Sequence, residues 1–197
     1  MKLFARLISY LFHPVLFFLV MPFFIVYRQT ASGLYAMKWM LFSSVFIFMG
    51  VMIIIFETVK GDFSDFDVSK REQRMKFYTI LFVLGVLYLS VALFFKGIFF
   101  PLSFISVGIA LGLIIFAFVS ERIKASIHVG TACAFVVSMY ILYGGTAFIS
   151  ALWIVPLVGW ARWYLKKHTM MEMLIGGILG ILITLLTYFL GANILLQ

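Results

Sequence analysis

Residues 159–172 carry the spacing with the clearest chemical meaning. They contain an arginine, a histidine and a carboxylate as R-x5-H-x3-E, namely Arg162, His168 and Glu172. A planar guanidinium can clamp a phosphate through paired N–H donors. A carboxylate four residues after a histidine shares its face if the segment is helical. It can then hold one imidazole nitrogen, fix the tautomer and leave the other nitrogen free to attack. The spacing therefore offers a nucleophile beside an anion clamp. The plainer reading is a basic anchor that snorkels to a membrane surface, with an acidic residue at a helix start.

A second polar stretch, residues 120–130, places Lys124, Ser126 and His128 where an apolar helix begins. Backbone amides at a helix N-terminus bind anions. Lys124 adds charge, Ser126 adds a hydroxyl donor, and His128 can give a proton to a leaving oxygen. A helix cap with an interfacial histidine is the alternative. The third stretch, residues 60–76, holds Lys70 and Arg74 four apart. One helical face would then present both cations. A solvated charge run is the usual meaning of such a stretch. The chain has three histidines, and two of them fall in these basic stretches.

The elements that must position these residues are membrane spans. Hydrophobic residues make up 65% of the 197-residue chain and charged residues 11%. That balance excludes a water-soluble globule. Seven segments approach the length needed to cross a bilayer: 4–27, 38–58, 77–95, 98–119, 128–145, 147–164 and 172–192. His13, Pro14 and Pro22 would kink the first or make it re-entrant. The expected fold is an all-α polytopic transmembrane bundle of six or seven spans in one domain. A core at about residues 60–192 follows N-terminal helices at 1–58.

Counting spans puts all three polar stretches on the side of the N-terminus. That side collects twelve of the fifteen basic residues, leaving Arg28, Lys38 and Lys96 opposite, and it holds all seven acidic ones. The net charge of +8 sits in short loops between apolar runs. Anionic headgroups or phosphorylated substrates are therefore the expected partners, not nucleic acid. The same excess fits the positive-inside rule, which would make this face cytoplasmic. Cys133 lies alone in an apolar run and forms no internal disulfide. Gly176 and Gly180 have the G-x-x-x-G spacing of close helix packing, either within the bundle or between copies of the chain. Trp39, Trp153, Trp160 and Trp163 are expected at membrane interfaces.

Taken together, the three stretches resemble the type-2 phosphatidic acid phosphatase superfamily, membrane lipid phosphatases related to vanadium haloperoxidases. The superfamily's motifs are K-x6-R-P, P-S-G-H and S-R-x5-H-x3-D. The third corresponds to Arg162 through Glu172, with Ala161 for Ser and Glu172 for Asp. The second corresponds loosely to Ala125-Ser126-Ile127-His128. In the first, Arg74 matches, Met75 replaces Pro, and Asp67 stands in the lysine's place. The chain is most similar to a small bacterial branch with S-D-x-D-x-S-x-x-x-x-R and K-x-S-x-H as its first two motifs.

The resemblance implies a haloperoxidase-like helical core and a phosphatase in the bacterial inner membrane that needs no cofactor and no metal. His168 would be the nucleophile, Glu172 its orienting carboxylate and His128 the acid. Arg74, Arg162 and Ser126 would hold the phosphoryl group, and Lys70 or Lys124 could replace the missing lysine's charge. Candidate substrates are phosphatidic acid, phosphatidylglycerol phosphate and polyprenyl diphosphate. Two other classes are weighed against it. A degenerate relative would bind lipid headgroups or scaffold a complex without turnover. A prenyltransferase would bind diphosphate through magnesium on Asp-rich loops. Asp62, Asp65 and Asp67 resemble one such loop, and the chain has no further aspartate for a second. Assembly into a homo-oligomer is compatible with all three.

Overall fold

The computed structural model describes residues 1–95 and 100–195, and Lys96 lies outside them. Nine α-helices occupy the described residues: α1 (Lys2–Leu11), α2 (Pro14–Thr30), α3 (Gly33–Lys60), α4 (Arg74–Phe95), α5 (Phe100–Ser120), α6 (Ile127–Tyr143), α7 (Gly145–Leu152), α8 (Ile154–Tyr164) and α9 (Met170–Leu195). Among those residues there is no strand. Six helical units are long and apolar enough to cross a membrane, and α6 is a shorter apolar helix. The protein is an all-α polytopic bundle.

The first unit is broken, as Pro14 predicts. A residue before proline is pushed out of the α region, and proline itself suits the first helical position. His13 is accordingly extended (φ -67°, ψ 143°), and its side chain caps α2. Pro22 stays inside α2. A second break separates α7 from α8 at Trp153. Gly144, at φ 82°, makes the turn from α6 into α7. Glycine adopts that conformation without strain.

Exposed apolar stripes mark the surfaces suited to lipid. On α3, Leu41, Val45, Phe48, Met52 and Phe56 recur every three or four residues, all exposed. Water would not tolerate that stripe, whereas lipid tails match it. Trp39 is buried among Ile25, Val26, Ala36, Ala92 and Leu102, because its position on α3 faces α2 and α4. Trp153 and Trp163 are exposed.

Helix α6 is the centre of the bundle and packs on α2, α7, α8 and α9. Its closest partner is α9, and small residues are the reason. A Cβ on Gly176 would lie 2.4 Å from the Ser126 carbonyl oxygen, and one on Gly180 would lie 2.1 Å from the Gly130 carbonyl oxygen. The G-x-x-x-G pair therefore works inside the chain, bringing two backbones together with no room for a methyl group. That contact sets the start of α9 against the start of α6. Cys133 is buried in the same seam, beside Val129 and Val136.

Candidate active site

The three polar stretches meet at one end of the bundle, as span counting predicts. Backbone and side-chain hydrogen bonds join them directly. Arg74 Nη1 donates to the Ala125 carbonyl at 2.9 Å, and Lys124 Nζ donates to the Lys167 carbonyl at 3.0 Å. The Ser126 N–H donates to the Glu172 carbonyl at 3.0 Å. Lys167 Nζ donates to Ser69 Oγ at 3.0 Å.

The turn between α8 and α9 is built locally. Lys166 adopts φ 54°, the Lys166 N–H bonds the Trp163 carbonyl, and the Lys167 N–H bonds the Arg162 carbonyl. Those two bonds close α8 in a Schellman motif, with lysine in the place usually taken by glycine. Thr169 then caps α9. Its Oγ1 accepts the Glu172 N–H at 3.3 Å, while Glu172 Oε2 accepts the Thr169 N–H at 3.0 Å. This is a capping box.

The same Glu172 oxygen lies 3.1 Å from His168 Nδ1. The expected pair forms, but not by sharing a helical face. His168 precedes the cap, and the capping box turns Glu172 back toward it. Donation from Nδ1–H to the carboxylate leaves the lone pair on Nε2. His168 is buried, and its pKa falls to about 3. Desolvation is the main cause, followed by the positive charges of Arg162, Arg74 and Lys124; a backbone hydrogen bond with Lys124 opposes them. The imidazole is thus neutral at physiological pH and sits among three cations.

This depression has a measurable consequence. An unfolded imidazole titrates near 6.5. Between that value and about 3 the unfolded chain binds a proton that the folded site refuses, so stability falls as pH drops through this window. Asp67 acts lower, losing its contribution only below the ordinary carboxylate value of about 3.9. In detergent, the unfolding midpoint should decline from about pH 7 to about pH 4.5, and His168→Asn should make that decline shallower. An equal slope in the variant would mean that His168 titrates at its ordinary value.

Arg162 is buried in the last turn of α8. Its Nη1 donates to Asp67 Oδ2 and to Ser9 Oγ, both at 2.8 Å. Its Nε is buried with no partner, and so is His128 Nε2. The charge of Arg162 acts on both His128 and His168, so these groups share one polar site. Arg74 is also buried. Two of its donors go to backbone, the second being Nε to the Val68 carbonyl at 3.4 Å, so it ties the loops as well as charging the site. Ser126 is fully buried and accepts the Val129 N–H at 3.5 Å, so its oxygen serves first as the cap of α6.

Asp67 reaches the site on a tightly held loop. Asp65 Oδ1 accepts from the Asp67 N–H at 3.0 Å and from Ser69 Oγ at 2.9 Å. Val68 then takes φ 46° while buried beside Phe63 and Ile54. A β-branched residue in that region is strained and persists only when its surroundings hold it. Burial by itself would push the Asp67 carboxyl up. His13, Arg162 and His128 outweigh it and hold the group well below the usual carboxylate range. The three aspartates thus take separate partners: Asp62 pairs with Lys60 and Lys76, Asp65 forms the turn, and Asp67 faces Arg162. They do not converge as a magnesium-binding loop would require.

One expected residue does not join the site. Lys70 is exposed and extended (φ -80°, ψ 131°) ahead of a 3-10 turn at Arg71–Gln73, and α4 starts only at Arg74. With Lys70 extended and a 3-10 turn before α4, a spacing of four does not place Lys70 and Arg74 on one α-helical face. Conversely, His13, Ser9 and Lys167 come into the site without having been singled out. His13 carried a signal, since it is the third of only three histidines and sits beside the Pro14 that breaks the first segment.

His13 Nε2, Asp67 Oδ1 and His128 Nε2 lie within 4.8 Å of one another. Such a donor set is of the kind that holds a transition metal. Two features of the site oppose a cation. Arg162 already pairs with the carboxylate. In addition, His13 Nδ1 accepts the Val15 N–H at 3.3 Å, which puts the ring proton on Nε2. A metal-bound histidine instead donates from its other nitrogen. The surrounding charge and the orphaned Arg162 donor favour an anion. No known protein family, curated protein or solved structure matches this chain.

Proposed function

We propose that the protein is a membrane phosphatase that removes phosphate from a lipid through a phosphohistidine, without a metal. The observation that carries this reading is the combination around His168: a neutral, carboxylate-held imidazole among Arg162, Arg74 and Lys124. The orphaned Arg162 Nε and His128 Nε2 add a donor and a proton carrier to the same site. The resemblance to type-2 phosphatidic acid phosphatases supports it through Arg74, His128, Arg162, His168 and Glu172.

In this reaction His168 Nε2 attacks phosphorus and forms the N–P bond as the P–O bond to the lipid breaks. His128, neutral at the start, relays a proton of the phosphate monoanion to the departing oxygen. Arg162 and Arg74 stabilise the charge on the equatorial oxygens. Water then gives a proton to His128 as it cleaves the N–P bond, and that proton leaves with inorganic phosphate. The lipid leaves as an alcohol, or as a monophosphate if the substrate was a diphosphate. The site lies at the ends of membrane-spanning helices, which favours a substrate whose tail stays in the bilayer. The proposed setting is a bacterial inner membrane, with the active face on the side of the N-terminus.

Phosphate release by the purified protein in detergent tests this. The substrates are phosphatidic acid, phosphatidylglycerol phosphate and a polyprenyl diphosphate, each with EDTA present. Release in EDTA from at least one lipid is expected. A folded protein that releases nothing overturns the reading. The pairing of Asp67 with Arg162 favours one competitor, a headgroup-binding protein without turnover. That competitor predicts orthovanadate binding with no release from any lipid.

A further inference from the structure

The family motifs give no part to His13, yet its geometry ties it to the site. Pro14 forces the elbow between α1 and α2, and His13 Nδ1 caps α2 through the Val15 N–H. The neutral ring therefore carries its proton on Nε2, which lies 3.5 Å from Asp67 Oδ1. The ring stands edge-on to His128, with centroids 4.8 Å apart, and leans on Phe66 at 5.2 Å. Ser9, one turn earlier on α1, accepts from Arg162. The elbow thus holds both members of the Asp67–Arg162 pair.

Asp67 is the anomaly of this site, a carboxylate where a phosphate must bind. It is tolerable there only while its oxygens are occupied. Arg162 takes Oδ2 and His13 faces Oδ1, with His128 Nε2 at 4.0 Å from the same oxygen. We propose that His13 is a positioning residue of the phosphate site. It keeps the Asp67 carboxylate turned onto Arg162 and beside His128, so that its charge orients those groups and does not meet the phosphate. This rests on the phosphatase reading above. A freed Oδ1 would repel an incoming phosphate dianion and let the carboxylate rotate away from His128.

The test is a double-mutant cycle of wild type, His13→Asn, Asp67→Asn and the double variant. Each protein is assayed for lipid phosphate release, for inorganic orthovanadate binding and for its unfolding midpoint. Asparagine caps a helix as well as any residue, so His13→Asn keeps the start of α2 and the midpoint. It should lower kcat/KM and vanadate affinity by about tenfold, the size of one hydrogen bond to a charged group. In the Asp67→Asn background the same change should have less than about a twofold effect, because contacting residues are non-additive. A helix cap or packing residue would not show that coupling. Multiplicative effects, or full activity and vanadate binding in His13→Asn, would overturn the proposal while leaving the phosphatase reading intact. If wild type neither releases phosphate nor binds vanadate, both fall, and wild type alone reveals it.

Discussion

If the proposed phosphatase reading holds, His168→Ala should lower phosphate release by at least about a thousandfold while the bundle stays folded, the expected cost of losing a nucleophile. The imidazole is buried at the mouth of α9 and contributes no cap; Thr169 and Glu172 do that between themselves. Removing it leaves the capping box intact. The intermediate gives an independent readout. Wild type incubated with radiolabelled lipid should yield a phosphoenzyme that survives alkali and decays in acid, and His168→Ala should yield none. Glu172→Gln separates two roles of one side chain. Glutamine keeps a capping box, so stability holds. It removes the charge beside the imidazole, and release should drop less than in His168→Ala. A stable phosphoenzyme in His168→Ala would move the nucleophile elsewhere.

Arg162→Ala should remove turnover and also destabilise the fold by about 3 kcal/mol, the usual penalty for stranding one partner of a buried ion pair. Asp67 would keep only His13 and a distant His128, and Ser9 would lose its donor. Adding Asp67→Asn to that variant removes the stranded charge. The double variant should regain most of the lost unfolding midpoint and none of the activity. Arg162→Lys should fall between, since an ammonium keeps the charge beside Asp67 but lacks the planar guanidinium that can clamp a phosphate. If Arg162→Ala unfolds at the wild-type midpoint, the pair is solvated and Asp67 is not held as described.

The glycine pair and the turn into α9 show how local determinants survive into the fold. Apolar runs longer than a bilayer is thick leave few alternatives to spanning helices, since lipid satisfies no backbone group. With all seven segments crossing, their number places residues 60–76, 120–130 and 159–172 on one side. The spacing from Thr169 to Glu172 specifies a capping box, and Gly176 and Gly180 specify a close helix contact. The sequence did not say which helix receives them; Ser126 and Gly130 do.

Where reading by spacing failed, the missing information was longer in range. Lys70 and Arg74 look paired at four residues apart, but Lys70 is extended, Arg71–Gln73 is a 3-10 turn, and α4 starts only at Arg74. The aspartates look like a metal loop until each finds its own partner.

Membrane class, the polar face and the chemical types gathered there were legible in the order of residues, because apolar length, span parity and capping act within a few residues of chain. What those types do together came from the packing of distant segments. Arg162 meets Asp67 across 95 residues of chain and Ser9 across 153. Such contacts depend on how α1, α8 and the 61–73 loop dock, which no spacing encodes. That docking pairs the Asp67 carboxylate with Arg162, and it brings His13 beside the same carboxylate.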